Sequence, residues 1–351
     1  MQFQVINESK FSNKHILFIF PSSFMGGHEL MSIEIIKGII NAGGSITVGY
    51  NRKINNLEKI FYDMNLNVID IPFSAQRLEI FHAFFNLFLL NKAVKFFKKI
   101  KNRFDEIIIA QGDIELGSIY THAASLANCK VISYIPYAHT AKVTNKFLSL
   151  VRDPLSLFAY KWCNNYITIY NKAALDIKQR NVYANVSILR NKVRNLDEFK
   201  LKIHNYEKNN SLLKIYVIGR VYFSHKGHDI LLESFEKMDK NLIKNIELNI
   251  IGDGPDLNKF KTLVLKIPNL KVNYWGWMSE PWEEAYKADL IVIPSRFEGV
   301  PLVMLEALEL DIPIIAAKVD GMIDYLDDDC LCENIVDFTE KLSLHLKNAK
   351  D

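Results

Sequence analysis

The chain has 351 residues, of which 49% are hydrophobic and 24% charged, and its formal net charge is +3. That length suits two domains, each able to bury its own core, and the composition is that of a globular protein. The charge is too small to argue for nucleic acid, so any recognition of anions has to be local.

The cysteines, Cys129, Cys163, Cys330 and Cys332, show neither the paired spacing of zinc ligands nor the density of a disulfide scaffold, which favours a reducing compartment and packing roles. Met1 to Lys14 lacks the basic start, apolar core and cleavage site of a secretory signal. The richest apolar stretch, Ile80 to Leu90, is interrupted by His82 and Asn86 and falls short of the about 20 apolar residues that cross a bilayer. The expected location is the cytoplasm, with the inner face of the cell membrane as the place for any surface attachment.

In chain order, His15 to Phe20 predicts a first strand, Pro21 to His28 a loop, and the residues up to about Asn41 an amphipathic helix. Gly26 and Gly27 either let the backbone approach a ligand at the helix start or make a tight turn and nothing more. Further strands are expected at Ser45 to Tyr50, Asn67 to Ile71, Glu106 to Ala110 and Lys130 to Ile135. Helical patterns at Asn55 to Met64, Leu78 to Ile100 and Leu116 to Ala127 separate them. Such alternation predicts a parallel, doubly wound sheet, with ligands beyond the carboxyl ends of its strands. Gln111, Gly112 and Asp113, then Tyr137, Ala138, His139 and Thr140, hold those positions.

Arg77 to Phe104 combines phenylalanines such as Phe81, Phe84, Phe85 and Phe88 with Lys92, Lys95, Lys98, Lys99, Lys101 and Arg103. Its basic half suits an anionic membrane surface, and equally the solvated end of a core helix, where lysines complement the dipole. Asn145 to Trp162, with Phe147, Leu150, Leu157 and Phe158, offers the same choice. Strands at Tyr166 to Tyr170 and Val186 to Leu189 close this half. Polar Arg194 to Asn210 then suits a connector, with the domain boundary between Lys192 and Asn210.

Leu213 to Ile218 opens a second series. Gly219 and Arg220 begin a loop that closes at Lys226 and Gly227 before the helix Asp229 to Met238, so two cations and the helix N–H groups can converge on a diphosphate. Glu247 to Ile251 and Val272 to Trp277 are further strands, and Trp275 and Trp277 either stack on a base or pack. The apolar run Ala288 to Ile293 is a buried strand leading into Pro294 to Leu310. There Glu298 and Gly299 lie in a turn, Pro301 is preset for the first helical turn, and Glu306 follows the apolar run Leu302 to Leu305. A helix start of this kind attracts phosphate or sugar oxygens, and a carboxylate a turn further in can accept ribose hydroxyls. Ile312 to Ala316 is a last strand, and Asn334 to Asp351 a final helix. Asp327, Asp328 and Asp329 share one polar turn without the converging ligands a metal requires, so no metal is expected.

Phe297, Glu298, Gly299, Val300, Pro301 and Leu302, followed by Leu305, Glu306 and Ala307, resemble the signature of retaining GT-B glycosyltransferases of glycosyltransferase family 4. The spacing from Gly219 and Arg220 to Lys226 and Gly227 resembles that family independently, and the glycine loop at Gly26 and Gly27 does so more weakly. The resemblance implies an α/β GT-B architecture, two Rossmann-like domains facing a cleft. Residues 1–195 would serve the acceptor and 196–335 the nucleotide sugar, and the helix 336–351 would cross back onto the first domain.

It further implies that Arg220 and Lys226 hold the donor pyrophosphate, Glu298 the sugar hydroxyls and Glu306 the ribose. Gly219, Gly299, Val300, Pro301 and Leu302 would surround the donor, with His139 on its sugar and Gly26 and Gly27 lining the cleft. The expected reaction moves a hexose or related sugar from a nucleotide diphosphate to a glycan or lipid-linked acceptor with retention, needing no metal or other cofactor. No residue stands out as a covalent nucleophile, which favours a front-face route. Bacterial surface polysaccharide synthesis is the setting suggested by analogy. A GT-B sugar-nucleotide epimerase and a non-catalytic nucleotide-sugar-binding partner are the alternatives.

Overall fold

A computed structural model of the chain describes residues 3–22, 26–52, 58–74, 76–207 and 212–348. The chain divides into two compact units, Met1–Lys192 and Val193–Asp351. The strands of the first are β1 Gln4–Ile6, β2 His15–Ile19, β3 Ser45–Tyr50, β4 Asn67–Asp70, β5 Glu106–Ala110, β6 Ile132–Tyr134, β7 Asn165–Thr168 and β8 Asn185–Leu189. They form one sheet in the order β1-β8-β7-β6-β5-β2-β3-β4, every pairing parallel. Ile16, Leu17, Phe18 and Ile19 are all fully buried, because helices on both faces leave a central parallel strand no wet side.

Two features of this unit depart from the expected elements. Strand β1 lies within the polar stretch Met1 to Lys14 and pairs with β8, Gln4 to Ser187 and Ile6 to Leu189. A three-residue edge strand has too few positions for a periodicity to show. The single helix expected over Leu78 to Ile100 is two helices, Glu79–Phe85 and Leu87–Ile100, bent by 85°. Asn86 makes the elbow, its side chain accepting the Leu89 N–H at 3.0 Å and so capping the second helix. Among the described residues no single helix is long and apolar enough to cross a membrane, and this bent pair meets the length and composition only when taken together.

Glu79, at the start of the first of those helices, is buried and accepts the Ile119 N–H at 3.3 Å. Burial pushes its carboxyl from 4.5 up to about 8. The folded chain therefore holds a proton that an unfolded glutamate has released, and stability falls as pH rises from about 4.5 to 8. Glu79→Gln imitates the protonated form. It is expected to raise the unfolding midpoint at pH 8 by about 5 °C and to leave it unchanged at pH 4.5, as read by thermal melts across that range.

In the second unit the strands are β9 Leu213–Ile218, β10 Ile246–Ile251, β11 Lys271–Gly276, β12 Leu290–Ile293, β13 Ile314–Ala317 and β14 Leu331–Cys332. Their order is β11-β10-β9-β12-β13-β14, again all parallel. The chain winds outward one way from β9 and the other way from β12, so the boundary between these neighbours is the switch point at which doubly wound sheets open a crevice.

The stretch from Arg194 is no connector. It forms the helix Asp197–His204, buries Leu196 and Phe199, and ties itself down through Lys200 to Glu309 at 2.5 Å and Lys202 to Glu283 at 3.0 Å. Its charges look solvated in sequence because their partners lie far downstream. The terminal helix Ile335–Asn348 packs into the core of the second unit. Phe338, Leu342 and Leu346 recur at helical spacing and enter the same core as Leu231, Phe235 and Ile315. All four cysteines are free, and burial pushes Cys129 and Cys163 up to about 11, so they pack as inert thiols.

Candidate functional site

Strands β9 and β12 deliver two loops to the switch point of the second unit, and backbone contacts lock one loop on the other. Gly227 has φ +62°, and a Cβ there would lie 1.9 Å from the Pro294 carbonyl oxygen, so only glycine permits this approach. The Arg296 N–H donates to the His225 carbonyl at 2.8 Å, and the His225 and Phe297 rings stack with centroids 4.5 Å apart. Arg296 also forks Asp229 at 2.7 and 2.8 Å. Farther along, Gly321 passes so close to Gly299 that a Cβ would meet its carbonyl oxygen at 2.3 Å.

The consequence is a pair of charges. Lys226 Nζ forms an ion pair with Glu298 Oε1, which also accepts the Ser295 hydroxyl at 2.9 Å. The Glu298 N–H donates to buried Asp320 at 2.9 Å, which sets the turn. Both side-chain bonds fall on Oε1, and a carboxylate has lone pairs on two oxygens, so Glu298 keeps capacity for hydroxyl groups. Next in sequence to Gly227, His228 is 1% exposed, and burial, with Lys226 adding to it, pushes its imidazole down to about 4. It is neutral at physiological pH.

Glu306 sits in the helix Leu302–Glu309, and its partners are others. Arg194 Nε donates to Oε1 at 2.8 Å and the Trp282 indole N–H to Oε2 at 2.7 Å. Arg194 simultaneously forks Glu280, which holds that carboxyl below its usual range while raising the guanidinium further. Pro301, expected inside the first turn, instead caps it with extended backbone, ψ 130°. Val300 is buried beside it, and Leu302 is half-buried. Arg194, Glu280 and Trp282 are residues that sequence reasoning missed. The one available signal was Trp282, because a tryptophan buried as fully as this one needs a partner for its N–H.

Arg220 opens the loop that Lys226 closes, and Gly219 runs alongside the Lys226 side chain, a Cβ at Gly219 lying 3.9 Å from its Cε. The Arg220 guanidinium is exposed over the Tyr222 ring, 5.8 Å from its centroid. Among the described residues it forms no ion pair with Glu298 or Glu306. Among the described residues those two glutamates share no side-chain partner. Trp275 donates to Asn249 at 3.1 Å, and Trp277 is exposed. Asp328 pairs with Lys318 at 2.9 Å.

In the first unit the switch point lies between β2 and β5. Gly26 precedes the helix Gly27–Asn41, and its N–H donates to Glu29 at 3.0 Å. Among the described residues nothing lies within 4 Å of where a Cβ on Gly27 would stand. Ser23, Phe24 and Met25 of the same loop lie outside the described residues. His139 follows β6 and lines a 250 Å³ cavity with Ile114, Thr140, Asp153, Tyr160 and Arg180.

Residues 198–348 match the family described as Glycosyl transferases group 1. An "Uncharacterized glycosyltransferase" of Haemophilus influenzae is 25% identical over 347 residues, 95% of this chain and 90% of its own. The Escherichia coli enzyme named UDP-Gal:alpha-D-GlcNAc-diphosphoundecaprenol alpha-1,3-galactosyltransferase is 24% identical over 298 residues, 79% of this chain and 71% of its own. Among solved structures, the apo form of the lipopolysaccharide outer core galactosyltransferase WaaB superposes with a TM-score of 0.72 at 19% identity, covering 95% of this chain and 90% of that one. With two parallel-sheet α/β units and a group 1 match over most of the second, the chain is a glycosyltransferase of GT-B fold.

Proposed function

We propose that the protein moves a hexose or related sugar from a nucleotide diphosphate to a glycan or lipid-linked acceptor, with retained anomeric configuration, as a family 4 enzyme of bacterial surface polysaccharide synthesis. The observation that carries this reading is the Lys226–Glu298 pair at the β9/β12 switch point. A cation and a hydroxyl-accepting carboxylate in contact are what a sugar joined to a diphosphate calls for. The E. coli relative is named for a UDP-sugar donor and a diphosphoundecaprenol acceptor, which supports the same substrate classes here.

In this reading the departing diphosphate gains negative charge and meets Lys226, Arg220 and the N–H groups of the Gly219–Gly227 loop, a preorganised field that makes no demand for a metal or other cofactor. Glu298 orients the sugar hydroxyls, with Gly299, Val300, Pro301 and Leu302 shaping its surroundings. Glu306 accepts the ribose hydroxyls, its oxygens held in place by Arg194 and Trp282. On the first unit, His139 is assigned to the sugar and Gly26 and Gly27 to ligand approach by the backbone. The leaving phosphate takes the acceptor's proton on the same face. The setting assigned is the cytoplasm, at the inner face of the membrane.

The test is a thermal-shift screen of the full chain against UDP, GDP, ADP and dTDP sugars. A donor bound only by the folded state at a hundred times its Kd adds about 2.7 kcal/mol. Product NMR then reads the anomeric configuration. An inverted linkage refutes retention, epimerised nucleotide sugar without transfer means an epimerase, and binding without turnover on any acceptor means a silent partner. Glu306→Ala is expected to weaken donor binding about tenfold, by titration calorimetry, because the ribose loses its acceptor.

A further inference from the structure

The helix Ser149–Ala159 of the first unit is built inside out. Arg152, Ser156 and Ala159 are its buried residues, whereas Leu150 is 85% exposed and Val151, Leu157 and Phe158 are exposed with it. Water selects the opposite arrangement. Charge fastens the inward side: Arg152 Nε donates to both Glu115 oxygens at 3.1 and 3.0 Å, and its Nη1 to the Phe147 carbonyl at 3.0 Å. Asp153 accepts the Ala141 N–H at 2.6 Å, and Lys146 pairs with Asp113 at 2.5 Å. The outward display of apolar side chains is therefore held in place by buried polar bonds.

The elbow at Asn86 joins this surface. Phe84 meets Phe158 edge to face, centroids 6.5 Å apart, and Phe85, Leu87 and Phe88 project beside it, Phe88 at 84% exposure. Along the helix Leu87–Ile100, positions 92, 95 and 99 repeat on the stripe that begins at Phe88, and all three are exposed lysines. No acidic residue occurs between Leu87 and Phe104. Lys161 lies 5.5 Å from the centre of the Phe158 ring.

We propose that this face of the first unit docks on an anionic lipid bilayer, with Phe88, Leu150 and Phe158 entering the boundary between headgroups and acyl chains. Lys92, Lys95 and Lys99 then meet the lipid phosphates. The single sign of the charge selects the occupant. A second copy would bring the same patch against itself and oppose one lysine stripe with another, whereas an anionic leaflet attracts both. The inference deepens the transferase reading by placing the chain where a lipid-linked acceptor lies, but its evidence is separate.

The experiment is flotation of the full chain with vesicles of phosphatidylcholine alone or mixed with phosphatidylglycerol. The chain is expected to bind the mixed vesicles and to release at high salt. Phe88→Ser/Leu150→Ser/Phe158→Ser, all at exposed positions, is expected to lower partitioning at least about 100-fold. Lys92→Gln/Lys95→Gln/Lys99→Gln is expected to lower it about 100-fold on mixed vesicles, roughly fivefold per lysine. Unchanged unfolding midpoints exclude misfolding. Absence of vesicle binding by the parent, or equal binding by the serine variant, overturns the proposal. So does a dimer in solution that the serine variant splits, since a second copy would then cover the face. Donor binding is read independently by thermal shift, so failure of the transferase reading leaves vesicle binding intact, and the reverse also holds.

Discussion

Lys226→Ala is expected to slow sugar transfer about 10³-fold, the loss seen when one preorganised electrostatic partner of a developing anion is removed. The side chain is well placed for a large effect. Its amine is partly screened from water, at 26% exposure, and it faces Glu298, which is 10% exposed. In the proposed reaction, removing the cation takes away the charge assigned to the leaving diphosphate, and among the described residues it leaves the glutamate side chain with the Ser295 hydroxyl alone. Steady-state kinetics with the donor identified by thermal shift separates the two roles. A fall in kcat means stabilisation of the transition state, whereas a rise in KM with kcat unchanged means uniform binding and refutes the assignment. Combined with Glu298→Gln, the losses are expected to be less than additive, because each variant breaks the same contact.

Gly227→Ala is expected to cost about 3 kcal/mol of stability and to abolish activity with it. Two penalties combine at this residue. Its φ of +62° is one that a side chain resists, and the new Cβ would stand 1.9 Å from the Pro294 carbonyl, a backbone atom at the end of β12. Relief requires the Lys226 loop to part from the Glu298 loop, which dismantles the ion pair. Gly276→Ala is the control, since Gly276 has φ +70° with nothing within 4 Å of its would-be Cβ. It is expected to lose about 1 kcal/mol, the conformational penalty alone. Equal losses in thermal unfolding for both variants would show that the close approach contributes nothing.

Most of the second unit was legible because its signals are local. Leu213 to Ile218 and Glu247 to Ile251 are apolar runs bounded by glycine turns, and the loop residues Gly219 to Gly227 stand where a doubly wound sheet places ligands. Two separate motifs put Lys226 and Glu298 on different loops, and the topology that joins those loops decided that they touch. Glu306 was read as a carboxylate for ribose hydroxyls, and its partner in the folded chain, Arg194, looked like a connector charge. Nothing near Arg194 in sequence distinguishes an arginine in solvent from one bonded to residues such as Glu280 and Glu306.

By itself, the sequence determined the alternation of strands and helices, the parallel sheets that follow from it, and the glycines and charges at the strand ends. These depend on periodicity and turn chemistry within a few residues. The three-dimensional structure alone decided that β1 joins β8, that the chain turns by 85° at Asn86, that the last helix packs into the core of the second unit, and that Arg152 points inward while Leu150 and Phe158 point out. A hydrophobic pattern records which side of an element avoids water, but what covers that side, and which distant charge answers a buried one, depends on partners that only the folded chain brings near.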